Sequence, residues 1–112
     1  MCQAQMEKRE QYLFATLQGE MTLGCTAEVK EKVKEYAALY QQYHIIADMT
    51  DVDFIDSSGL GVLVAWFKMC NQEDGKFVLC NLDKHVRRII SYAKLDKIFH
   101  MAEDLEAAEK ML

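Results

Sequence analysis

The chain has 112 residues, 51% of them apolar and 28% charged, with a net charge of −5; such a chain makes one globular domain whose core needs no metal or disulfide. The acidic balance argues against nucleic acid, which wants a basic face, and against anionic lipid, which wants clustered Lys and Arg. The longest apolar run, Leu60 to Phe67, is far shorter than the ~20 residues of a membrane-spanning helix, so no direct membrane insertion is expected.

Gln3 to Lys8 reads as a weak strand, and Gln11 to Gly19, richer in aromatic and aliphatic residues, as a strand paired with it. A helix follows, with Thr26 as its expected N-cap and Val29, Val33, Ala37 and Tyr40 along one face. His44 to Met49 is short and apolar and reads as a buried strand, after which Thr50 to Ile55 forms an acidic turn. A second helix is expected from Ser57 to about Asp74-Gly75, with Leu60, Leu63, Val64 and Phe67 toward the sheet. Lys76 to Leu82 reads as another buried strand. Asp83 caps a third helix bearing Val86, Ile89, Ile90 and Ala93. "KIFHM" suits a last short strand and "EDLEAAEKML" a closing helix.

The resulting order is ββαβαβαβα, an α/β domain with a mixed sheet and about four helices. Alternating strands and helices imply parallel pairing, and the first hairpin supplies the antiparallel part. Sites in such folds collect where parallel strands turn into helices. The segment "DSSGLG", Asp56 to Gly61, lies at one such junction.

The four cysteines, Cys2, Cys25, Cys70 and Cys80, contain no CxxC pair, and the polar N-terminus resembles no secretory signal. Reduced thiols in a cytoplasmic protein are expected. His44, His85 and His100 are isolated and show no metal-ligand spacing, so no metal or cofactor is expected.

On physical grounds Asp56 or Ser57 can cap the second helix, with Gly59 and Gly61 allowing close packing. Two glycines early in a helix need such a reason, because each costs ~0.8–1 kcal/mol relative to alanine. Other readings compete. The G-x-G start lacks its third glycine, since Val64 stands there. A P-loop and a G-x-S-x-G elbow are both absent, so phosphate-cradling and nucleophilic enzymes find no support. A phosphoacceptor serine remains. A phosphate at a helix start suits the positive end of the dipole and adds roughly −1.5 to −2 charge beside Asp51, Asp53 and Asp56.

The stretch "DMTDVDFIDSSGLGVLVAWFK" resembles the core signature of STAS domains, specifically the small bacterial anti-sigma factor antagonists. "GKFVLCNLDKHVRRIISYAKLDKIFHMAEDLEAAEKML" is similar to that family's second half, and "LQGEMTLGCTAEVKEKV" to its turn before the first helix. The resemblance covers nearly the whole chain, as a single domain over 1–112. It implies a STAS fold and a binding module, not an enzyme. It also implies a phosphorylatable serine at Ser57 and a docking surface of Glu20, Thr22, Gly24, Asp56, Ser58, Gly59, Leu60 and Gly61. The implied partners are a serine kinase that is also the anti-sigma factor, and a PP2C-type phosphatase. Two residues depart from the family pattern. Thr22 stands where an Asp is usual, and Trp66 where close relatives carry a polar or small residue. Trp66 is either core, beside Val62 and Met69, or an exposed anchor for a partner. The alternative function is a non-switching STAS scaffold subunit of a transporter or lipid-trafficking complex, with Ser57 only a cap.

Overall fold

The computed structural model describes all 112 residues. Its elements follow the expected order: β1 (Cys2–Lys8), β2 (Leu13–Gly19), α1 (Thr26–Tyr40), β3 (Ile45–Asp51), α2 (Ser57–Gln72), β4 (Phe77–Cys80), α3 (Lys84–Tyr92), β5 (His100–Ala102) and α4 (Leu105–Lys110). A single 3-10 turn, Leu95–Lys97, precedes β5. The five strands lie in the sheet in chain order. β1 runs antiparallel to β2, and every later pairing is parallel.

Residue alternation along the strands divides the interior. Ile45, Ala47, Phe77 and Leu79 face the larger core with α1, α2 and α3, whereas Ile46, Val78 and Cys80 face a smaller one closed by Tyr12 and α4. Successive parallel crossovers of one hand place the three connecting helices on one face. The central strands β3 and β4 are therefore buried on both sides, which is why their sequences read as continuous apolar runs.

Three expectations are corrected. The buried face of α2 is Gly59, Val62, Leu63, Trp66 and Cys70, while Leu60, Val64 and Phe67 are only half-buried at its flank. The helix is rotated so that Trp66 enters the core at 1% exposure, edge-on to Phe77 at 6.0 Å, with its indole N–H donating to the Lys30 carbonyl at 3.3 Å. Trp66 is thus core and offers no anchor to a partner. The cap of α1 is Cys25, without a side-chain hydrogen bond, and Thr26 is already helical. Its hydroxyl serves a different contact, described below. Finally, Cys70 and Cys80 are free and buried, but Cys2 and Cys25 form a disulfide. The start of β1 lies beside the start of α1, with the two Cα atoms 5.7 Å apart, well inside the range a disulfide spans. No spacing rule connects residues 23 positions apart.

Candidate functional site

The site is assembled where two turns meet at one end of the parallel strands. The turn after β2 and the turn after β3 form a single parallel bridge, Met21 to Ile55. Met21 N–H donates to the Phe54 carbonyl at 3.0 Å, and Asp56 N–H donates to the Met21 carbonyl at 3.1 Å. Gly59 makes this approach possible. A Cβ there would lie 2.6 Å from the Met21 carbonyl oxygen and 2.4 Å from Ile55 Cγ1. The bare face of Gly59 is therefore occupied from within, by the protein's own backbone. Gly61, two residues further along α2, has open space where its Cβ would be.

Asp56 is the N-cap of α2. Its Oδ1 accepts from Ser58 N–H at 2.9 Å, from the Ser58 hydroxyl at 2.6 Å and from Gly59 N–H at 3.1 Å. Its Oδ2 accepts from Leu23 N–H in the other turn at 3.1 Å. The Ser58 hydroxyl hydrogen bond, reinforced by the Gly59, Leu23 and Ser58 backbone N–H groups, holds this carboxyl below the usual aspartate range, against the opposing effect of desolvation. The Thr26 hydroxyl donates to Ser58 Oγ at 3.4 Å, so a relay runs from α1 through Ser58 to the cap.

The two serines differ sharply. Ser58 is half-buried and fully engaged, whereas Ser57 is exposed and its hydroxyl makes no hydrogen bond within the chain. Around Ser57, Glu20, Gly24 and Gly61 are exposed, Thr22 and Leu60 are half-buried, and Gly59 is buried. Asp51 and Asp53 are exposed on the adjoining turn. Two apolar neighbours were not anticipated from sequence. Leu23 is 83% exposed in the first turn, and Phe54 is exposed in the second, stacked on His85 at 6.0 Å. An aliphatic residue flanked by Thr22 and Gly24 in a turn was the available signal for Leu23. No three His, Cys, Asp or Glu side chains converge as metal ligands, and no helix is long and apolar enough to cross a membrane.

The STAS domain family matches residues 3–108. The chain belongs to the STAS domain family. It is 31% identical over 96 residues to the anti-sigma F factor antagonist of Paenibacillus polymyxa, covering 86% of this chain and 82% of that one. It is 27% identical over 101 residues to the anti-sigma-B factor antagonist of Bacillus subtilis, covering 90% of this chain and 91% of that one. Among solved structures, an anti-sigma factor antagonist of Mycobacterium paratuberculosis has the same fold, with a TM-score of 0.87, 22% identity and coverage of 99% and 93%. The Bacillus protein SpoIIAA in its phosphorylated form has a TM-score of 0.73, 20% identity and coverage of 97% and 99%.

Proposed function

We propose that this STAS domain is an anti-sigma factor antagonist working as a phosphorylation-controlled binding switch in the cytoplasm, without catalytic activity of its own. Unmodified, it docks a cognate serine kinase, itself the anti-sigma factor, through Glu20, Thr22, Gly24 and the start of α2 from Asp56 to Gly61. The kinase transfers the γ-phosphoryl group of ATP to Ser57 Oγ, the hydroxyl proton passes to the kinase, and ADP leaves. The added charge stands beside Asp51, Asp53, Asp56 and Glu20 and opposes docking. A PP2C-type phosphatase hydrolyses the ester and restores binding.

The observation that carries this reading is the contrast between Ser57 and Ser58. Only Ser57 is exposed and free of structural hydrogen bonds, so it can enter a kinase site and accept a phosphate without dismantling the cap. The positive end of α2 tolerates the anion. That SpoIIAA has been solved both with and without phosphate, each form matching this fold at a TM-score of 0.73, agrees with modification that spares the scaffold. Within the surface Gly59 acts from inside, holding the two turns together, and the bare backbone offered to a partner is that of Gly61.

Incubation with a cognate serine kinase and ATP tests the reading. Phosphate incorporation is expected in the parent and in Ser58→Ala and is lost in Ser57→Ala; incorporation into Ser57→Ala refutes the assignment. Ser57→Asp is expected to bind the kinase at least about tenfold more weakly, a difference of ~1.4 kcal/mol. A constitutive scaffold, the rival reading, would leave that affinity unchanged.

A further inference from the structure

The Cys2–Cys25 disulfide sits at the base of the docking turn. Cys2 holds both ends of that turn at once. Its backbone pairs with Gly19, the last rung of the β1–β2 ladder, and its sulfur is bonded to Cys25, the cap of α1. The loop between, Glu20 to Gly24, carries the Leu23 N–H that reaches Asp56 Oδ2. Gly19 shows how closely the two strands are drawn together there. Its φ is 92°, and a Cβ on it would fall 2.0 Å from the Met1 carbonyl oxygen.

Without the covalent bond, this corner rests on the final rung of an edge strand, where local opening is easiest. The reduced state is chemically provided for. Cys25 Sγ lies 3.4 Å from the Glu20 carbonyl oxygen and 3.3 Å from that of Thr22. As half of a disulfide it has no proton to donate, and as a thiol it has two acceptors already in reach. A shallow cavity lined by Cys2, Gln3, Ala4, Glu28, Val29 and Lys32 opens beside the pair and gives a small thiol an approach to Cys2. The other two cysteines differ in kind. Cys70 and Cys80 are fully buried and do not line that cavity, and burial pushes both thiols up to about 12.

We propose that Cys2 and Cys25 are a thiol–disulfide exchange site, whose partner is a low-molecular-weight thiol and its disulfide, and that oxidation staples the docking turn into its binding shape. In reduction a thiolate attacks Cys2 Sγ, the S–S bond breaks, and Cys25 leaves as a thiolate that takes a proton from water. A second thiol resolves the mixed disulfide on Cys2. The protein pair gains two electrons and two protons, and two small thiols become one disulfide. In cytosol, disulfides are mostly transient or redox-sensing, and a pre-organised loop loses less freedom on docking. The binding arm of this proposal rests on the partner-switch reading above; the exchange arm does not.

The test equilibrates the full chain in reduced and oxidised glutathione buffers, with thiol trapping by alkylation and mass spectrometry, and amide hydrogen exchange on each form. Two alkyl groups are expected on Cys2 and Cys25 in the reducing buffer, none in the oxidising one, and none on Cys70 or Cys80 in either. Amides of residues 20 to 25 are expected to exchange about fivefold or more faster after reduction, a coupling of the size typical between linked sites. Cys2→Ser is expected to show the fast exchange in both buffers, and Cys70→Ser to behave as the parent. A disulfide that survives every glutathione ratio, or equal exchange in both forms, overturns the proposal. The serine kinase is expected to bind the oxidised form about fivefold or more tightly, and equal affinity refutes the control of docking. If the kinase binds neither form, the partner-switch reading fails, while trapping and exchange still decide the staple.

Discussion

The two glycines of "SSGLGV" should respond to the same substitution with opposite signs. Both lie in α2, and alanine at either gains helix propensity of ~0.8–1 kcal/mol. At Gly61 nothing lies within 4 Å of the added Cβ, so Gly61→Ala should stabilise by about 0.5–1 kcal/mol. At Gly59 the same methyl falls 2.6 Å from the Met21 carbonyl oxygen. That oxygen cannot step aside cheaply, because it accepts from Asp56 N–H while Met21 N–H is bound to the Phe54 carbonyl. Overpacking of this kind costs ~1–3 kcal/mol, and a rigid backbone obstacle belongs at the upper end. The propensity gain is common to both variants, so the gap between them isolates the packing cost, at ~2–3 kcal/mol. Urea unfolding at neutral pH, compared at equal m-values, measures it. Equal stabilisation by both substitutions would mean that the two turns do not meet over Gly59, and the description of the site would fall with it.

The Asp56 cap makes stability depend on pH in a defined sense. Its folded carboxyl titrates below the ordinary value, so its contribution is complete above about pH 4 and is lost as pH falls through the lowered folded value; the stability difference between the parent and Asp56→Asn should shrink over that acid range in urea titrations. Trp66→Ala should cost ~3–5 kcal/mol, as for a large aromatic removed from a packed core. Because Trp66 is the single tryptophan and is shielded, its emission should shift to the red on unfolding and stay unchanged on partner binding. Ser57→Ala should leave the unfolding free energy within about 0.5 kcal/mol of the parent, whereas Ser58→Ala, which removes a hydroxyl from a carboxylate, should cost ~1.5 kcal/mol.

The element order was legible because buried parallel strands announce themselves as short apolar runs and the helices by their period. Asp83 and Asp56 were legible as caps for a local reason: each bonds to N–H groups two or three residues ahead. What escaped was set by contacts between distant segments. The rotation of α2 is decided by a slot for Trp66 between α1 and β4. Alternation within the helix could not disclose that slot, since Leu60, Val64 and Phe67 fit an equally regular apolar stripe. Cys25, bonded to Cys2 of β1, takes the cap position, and Thr26 lies inside α1 with its hydroxyl turned to Ser58 of α2. Gly59 could be recognised as needing a reason, but not which backbone supplied it, because Met21 lies 38 residues earlier.

The site divides its residues between holding and presenting. Asp56, Ser58, Gly59 and the Met21 and Leu23 backbone form one hydrogen-bonded block. Ser57, Gly61 and the Leu23 side chain stand outside it, exposed. That separation matters because a domain of this size is stable by only ~5–15 kcal/mol. A hundredfold switch in affinity requires ~2.7 kcal/mol. If phosphate disrupted Asp56 or Ser58, most of that difference would be drawn from the stability of the fold, and the modified protein would populate unfolded states. Placed on Ser57, the same difference arises at the interface, from charge repulsion and from desolvation of the anion under an incoming surface. Phosphorylated protein should accordingly lose affinity with no loss in its unfolding midpoint, and a parallel fall in both would place the acceptor inside the hydrogen-bonded block instead.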